Sequence, residues 1–235
     1  MAVLLLRLAG PMQSWGTQSR FSHRDTDLEP SKSGVVGLLC AAMGKPRDDL
    51  ETIEKLAELK MGVRVDRQGT LKRDYHTAQN VIKASGQMPK EGEAVISSRF
   101  YLSDACFLVA LLGELSLLHE IQVSLANPVW QLYLGRKSFV PGLPVFLKNG
   151  LLSGCENLAE ALKGYPYLLL HRKDSPEKLR MEIETDFGKG SRVKQDCPVS
   201  FISASRRFTL RYVEAGEVLL KDLPPAKEES CIYLS

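Results

Sequence analysis

Glycine, aromatic, hydroxyl and cationic side chains gather at three places in this sequence, a mixture suited to contacts with phosphate, ribose and base. The first is Gly10-Pro11-Met12-Gln13-Ser14-Trp15-Gly16. Its glycines permit close backbone approach, Gln13 and Ser14 carry hydrogen-bonding groups, and Trp15 is either a stacking surface or a core anchor. The second is Lys72-Arg73-Asp74-Tyr75-His76-Thr77. Strand alternation would put Arg73, Tyr75 and Thr77 on one face and Asp74 and His76 on the other. Arg73 suits bidentate contact with a phosphate, and Tyr75 suits stacking beneath a base. His76 is either a general acid or base for RNA cleavage or a hydrogen-bonded structural residue beside Asp74. The third is Leu134-Gly135-Arg136-Lys137-Ser138, close to Trp130 and Tyr133. It reads as a phosphate-binding turn but lacks the GxxxxGK[ST] spacing of a P-loop.

Regular elements must position these groups. Residues 3–8 are apolar apart from Arg7 and stop at Gly10-Pro11, as a buried central strand would. A long polar loop, 9–32, follows, and loops of that length are commonly functional. Pro30-Ser31-Lys32-Ser33 then opens a helix whose apolar face is Val35, Val36, Leu38, Leu39 and Met43, ended by Gly44 and Pro46. Such an N-terminus attracts phosphate, and Gly34 and Gly37 leave room for another backbone. An acidic amphipathic helix is predicted over 48–59, then strands at 62–66 and 70–77 joined as a hairpin across Arg67-Gln68-Gly69. Residues 78–97 carry few apolar side chains and are predicted as a protruding arm. A long strand over 98–112, a helix over 115–126 and a strand near 132–134 complete a ferredoxin-like, RRM-type βαββαβ order within an α+β fold. That domain is drawn at 1–147. A smaller β-rich region, 148–235, has a helix near 156–163, strands at 179–184 and 208–213, a basic linker between them and a solvated tail from Pro224.

The bulk composition is that of a folded protein: 235 residues, 44% hydrophobic and 25% charged, with a net charge of +3. That charge is too small to identify a nucleic-acid partner, so its distribution matters more. Lys189, Arg192, Lys194, Arg206, Arg207 and Arg211 face only Asp196 within 189–211, whereas 47–59 is acidic. One positive face is expected. The five cysteines, Cys40, Cys106, Cys155, Cys197 and Cys231, form no CxxC pair and no zinc-ligand spacing, which suits a reducing cytoplasm. The opening apolar run lacks a basic flank and a cleavage site, and no stretch approaches the ~20 apolar residues of a membrane span.

RLAGPMQSWG, PSKSGVVGLLCAAMG, the RDD at 47–49, RDYHT, YLSDACFLVAL and YLGRKS occur in the order and spacing of one family. The sequence resembles the CasD family, the subunit of type I-E CRISPR Cascade that caps the guide RNA at its 5′ end. The likeness runs in register to about Leu147. Beyond it only SFISASRRFTLRYV is similar, to the family's closing strand. The resemblance implies an RRM-like fold, a thumb at 78–97, and a place at the base of the repeated backbone subunits, touching the large subunit that inspects target DNA. On that reading the cationic, aromatic and hydroxyl residues Gln13, Ser14, Trp15, Gly16, Lys32, Ser33, Arg73, Tyr75, Arg136, Lys137 and Ser138 are expected to hold the handle, and no cofactor, metal or membrane is expected. Within the thumb, Lys83 and Lys90 are balanced by Glu91 and Glu93, which predicts a wedge between guide bases and a neighbouring subunit. The competing expectation is a metal-independent endoribonuclease that processes precursor guide RNA, with Tyr75 and His76 in the site. The tyrosine, lysine and histidine of the cleaving branch have no adjacent lysine–histidine counterpart here.

Overall fold

Every residue of β1 (Ala2–Ala9) is buried, which explains why all but Arg7 are apolar: a central strand has no wet face, and the Arg7 guanidinium donates to the Pro144 carbonyl at 3.2 Å. The computed structural model describes the whole chain except residues 18, 20, 21, 83–85, 89, 91, 170–174 and 226–235. After β1 come β2 (Met12–Gln13), β3 (His23–Arg24), α1 (Lys32–Ala42), α2 (Leu50–Glu58), β4 (Lys60–Arg67) and β5 (Thr70–Gln79). They are followed by β6 (Ala94–Ser103), β7 (Cys106–Gly113), α3 (Leu115–Ala126), β8 (Phe146–Ser153) and α4 (Leu158–Lys163). The chain then forms β9 (Lys178–Thr185), β10 (Arg192–Ser200) and β11 (Arg207–Leu219).

Seven strands make the main sheet in the order β10-β11-β9-β4-β7-β1-β8, with antiparallel neighbours throughout. Alternation along β1 divides its side chains between two cores. Leu4, Leu6 and Leu8 pack with Val35 and Leu39 of α1, Ile53 of α2 and Leu118 of α3. Val3, Leu5 and Ala9 pack with Leu158 and Leu162 of α4 and with Leu179 and Val218. The predicted helix start is present, and its cap is Ser31, whose side chain accepts from the Gly34 amide at 3.3 Å. A cap of this kind contributes about 1 kcal/mol. Among the described residues no helix is long and apolar enough to cross a membrane.

The expected hairpin between 62–66 and 70–77 does not form. β4 pairs with β7 and β9, whereas β5 pairs with β6 in a second, four-stranded sheet. The chain passes from one sheet into the other at Gly69, which has φ +74°. A Cβ there would press into the Ser103 carbonyl. The single long strand expected over 98–112 breaks at the same level, with Asp104 at φ +58°. The two halves together make one bent ribbon, 60–79 against 94–113, whose outer part is β5–β6. The ribbon leaves the main sheet at Thr70, before the arm expected from 78.

Residues 132–134 do not form the closing strand either. The Leu134 amide donates to Phe139 at 2.7 Å and its carbonyl accepts from Ser14 at 3.0 Å, so a local turn takes both groups. β8 pairs with β1 in its place. β8 itself spans 147, and β9 pairs with β4, so strands from both sides of that position share one sheet. β10 arises in the stretch expected as a linker.

Candidate nucleic-acid interface

The carbonyl of Phe100 in β6 is where the three sequence islands meet. It accepts from the Ser14 hydroxyl at 3.3 Å and from Nη2 of Arg136 at 2.8 Å. The same guanidinium reaches the Arg24 carbonyl at 3.4 Å, and the Ser14 hydroxyl reaches that of Asp25 at 3.4 Å. Gly135 makes this closeness possible: at φ +94°, any Cβ would overlap the Ser14 carbonyl. Directly across the β5–β6 ladder from Phe100 stands Arg73. The loop at 13–16, the ribbon and the turn at 134–138 are therefore one assembly.

β6 is flanked by β5 and by the short parallel strand β3, and the register aligns Asp74, Arg99 and Arg24 side by side. Neighbours across a sheet share a face, so Arg24 and Arg99 lie together on one face and Arg73 with Phe100 on the other. His23 joins the second face, its ring 4.9 Å from that of Phe100. Burial lowers the Arg136 pKa, and the like charges of Arg99 and Arg24 add to that, with Asp74 and Asp25 acting in opposition. Its guanidinium sits 5.3 Å from the Phe139 ring centroid. None of Arg24, Arg99 and Arg136 is in an ion pair among the described residues. Three guanidinium groups against the two nearby carboxylates of Asp74 and Asp25 leave an excess of positive charge that favours an anion.

Of the residues expected to hold a ligand, Gly16, Arg73, Tyr75, Lys137 and Ser138 are exposed, and Ser33 and Arg136 are half-buried. Four others turn inward. Trp15 is 1% exposed, so it is a core anchor and offers no stacking face. Its Nε1 donates to Gln13 at 3.2 Å, and its ring lies so close to Gly34 that a Cβ there would stand 2.8 Å away. Gln13 spends its amide on the carbonyls of Leu8 and Ala105, at 3.2 and 2.8 Å. Ser14 is buried in the Phe100 contact. The Lys32 ammonium pairs with Glu184 at 2.7 Å, and its amide donates to Asp196 at 2.8 Å, so the α1 terminus already holds a carboxylate.

The positive face expected over 189–211 shrinks for the same reason. Arg211 pairs with Asp196, Lys194 with Glu182 and Lys189 with Asp186. Arg192, Arg206 and Arg207 stay exposed. What sequence reasoning missed is Arg24 with Arg99: they are far apart in the chain, and only the β3–β6 pairing makes them neighbours. Tyr75 and His76 fall on opposite faces of β5, as alternation requires. Lys83 and Glu91 of the arm, and Cys231, lie outside the described residues. Among the described residues no cluster of three or more His, Cys, Asp or Glu could hold a metal ion. Cys40, Cys106, Cys155 and Cys197 are free thiols, and burial pushes that of Cys40 up to about 11.

The model of the family CRISPR-associated protein (Cas_Cas5) matches residues 3–214. The CRISPR system Cascade subunit CasD of Escherichia coli (strain K12) is 36% identical over 156 residues, which is 61% of this chain and 69% of that protein. A Cas protein of known crystal structure is similar with a TM-score of 0.75 and 44% identity, over 95% of this chain and 98% of its own. A chain of a CRISPR RNA-guided surveillance complex gives a TM-score of 0.77 at 34% identity, covering 97% of this chain and 95% of that one.

Proposed function

Because the chain belongs to the Cas_Cas5 family of CRISPR-associated proteins, we propose that it is a non-catalytic subunit of an RNA-guided Cascade complex. In this reading it binds and caps the 5′ handle of the guide RNA. The observation that carries it is the convergence on Phe100: Arg24, Arg99 and Arg136 gather with no ion pair among the described residues beside the exposed Arg73, Tyr75, Lys137 and Ser138. Guanidinium groups take phosphates, and the ring of Tyr75 takes a splayed base. Each phosphate neutralised adds about 0.7 to the salt slope of single-strand binding.

We read β8-β1-β7-β4, with α1 and α3 sharing one core, as a ferredoxin-like βαββαβ unit, and residues 148–235 as a smaller β-rich region built onto its sheet. The β5–β6 ribbon is the thumb, and its exposed Leu71, Val95 and Ile96 suit a protein neighbour such as the repeated backbone subunits. The large subunit and, through it, target DNA complete the partners, and the cytoplasm is the compartment. Placement of Tyr75 and His76 on opposite faces supports the non-catalytic reading over the endoribonuclease one.

The test is incubation of the purified protein with labelled repeat RNA in EDTA, with a handle oligonucleotide titrated in parallel. Saturable handle binding without strand scission is expected. Specific cleavage abolished by His76→Ala would overturn the non-catalytic assignment.

A further inference from the structure

We propose that a cavity beside α1 takes one unpaired nucleotide, its base against Trp130 and its phosphate on Arg47 and Arg206. This deepens the RNA-binding reading and rests on it, because Ser14 and Gly135 line the cavity and Arg136 follows directly. Its volume of about 330 Å³ suits a single nucleotide and lies at the lower end of small-ligand sites.

Three features point to that occupant. First, the lining contains five aromatic rings, Trp15, Trp130, Tyr133, Phe201 and Phe208, and three cations, Lys45, Arg47 and Arg206, with no carboxylate. Neither Arg47 nor Arg206 is in an ion pair among the described residues. Aromatic faces among unpaired guanidinium groups are the chemistry of single-stranded nucleic acid.

Second, Trp130 is 47% exposed although its backbone is pinned. Its amide donates to Ala41 at 3.1 Å, and the Val129 amide donates to Ala42 at 2.9 Å, tying the segment to the end of α1. A large ring left in water on a fixed support is preorganised for stacking.

Third, Gly37 has no reason inside the protein to be glycine. A Cβ at Gly34 would collide with Trp15, but a Cβ at Gly37 would meet only a ring atom of Phe201, at 4.0 Å. Glycine within a helix is disfavoured relative to alanine, so α1 gives up helix propensity to keep this wall open. The space is left for something else.

Intrinsic fluorescence tests this, since the chain has two tryptophans and, although both line the cavity, Trp15 is 1% exposed against 47% for Trp130, so the Trp130→Phe protein isolates whatever signal Trp15 gives. The intact protein, Gly37→Leu, Trp130→Phe and Arg136→Ala are titrated with single-stranded handle RNA and with AMP and UMP. RNA should quench the intact protein and leave Trp130→Phe unquenched. Gly37→Leu, which fills the cavity, should bind RNA about tenfold more weakly, the effect of one lost stacked base, with its melting temperature undiminished. Arg136→Ala should bind more weakly yet quench fully at saturation.

If Gly37→Leu binds and quenches like the parent while Arg136→Ala loses affinity, the cavity inference falls and the RNA reading stands. If the intact protein ignores RNA but AMP or UMP quenches it and Gly37→Leu removes the effect, the nucleotide site stands and the RNA reading falls. No quench by any of the ligands overturns the inference. So does a Gly37→Leu protein that binds RNA normally but fails to join its protein partners, which would make the occupant a polypeptide.

Discussion

Arg136 donates to the carbonyl of Phe100 at 2.8 Å, and so a turn near the middle of the chain is tied to the base of the ribbon. Arg73 stands opposite Phe100 in the ladder, so the tie also sets the distance between two cationic regions that are far apart in sequence. Handle contacts made from this place depend on both.

Replacing Arg136 and Lys137 together by alanine should weaken handle binding and lower the salt slope by about 1.4, since each lost phosphate contact removes about 0.7. Fluorescence anisotropy across a salt series measures both. An unchanged slope would remove these side chains from the phosphate contacts.

Gly135→Ala should destabilise the fold by about 1–3 kcal/mol or more, because the residue is held at φ +94° and an added methyl group would overlap the Ser14 carbonyl. Chemical denaturation reads the loss. Gly37→Ala, placed in open space on α1, should instead stabilise by about 0.5–1 kcal/mol. The two glycines thus separate a steric requirement from a vacancy.

Trp15→Ala should cost about 3–5 kcal/mol as a large buried ring is removed. Trp15→Phe, measured under conditions where it is fully folded, should bind the handle as the parent does, since the indole is 1% exposed, is held by Gln13 and Gly34, and meets the cavity beside α1 only as part of its wall. A selective loss of RNA affinity in Trp15→Phe would contradict the interior role.

Asp196 gives the acid response. Burial alone would raise its pKa, but the Arg211 guanidinium at 2.6 and 3.0 Å, the Lys32 amide and Lys194 outweigh burial and hold it below the ordinary carboxylate value. Folding therefore favours the ionised form. Its stabilising contribution is complete above the unfolded value of about 3.9 and is lost as pH falls from there through the folded value. Asp196→Asn should be less stable by about 1–3 kcal/mol at neutral pH, because the buried Arg211 loses its two short charge-assisted hydrogen bonds and keeps only the longer contacts to Glu182 and Glu184 at 3.6 and 3.8 Å, and should lack this part of the acid transition. Melting temperatures from pH 7 to 3 compare the two proteins.

Much of the architecture was legible locally. The apolar run of β1, broken only by Arg7, marked a buried central strand, and the structure divides its side chains between two cores. α1 announced itself by Ser31, its apolar face and Gly44, and α3 by the spacing of Leu118, Ile121 and Leu125. Alternation likewise put Tyr75 and His76 on opposite faces. Phe146–Ser153 was harder to read, since Lys148, Asn149 and Gly150 interrupt its apolar pattern. The apolar residues at 132–134 competed for the same role and were taken up by a turn.

By itself the sequence determined the burial of β1 and the existence of α1, α2 and α3, because these follow from backbone periodicity and from neighbours a few residues away. Tertiary structure alone decided that Trp15 and Lys32 belong to the interior, that Arg211 is matched by Asp196, and that Arg24 lies beside Arg99. Each of those outcomes rests on a partner brought from far along the chain by sheet order. A side chain's own type states what it can bind, whereas the residue folded against it settles whether that capacity is already satisfied.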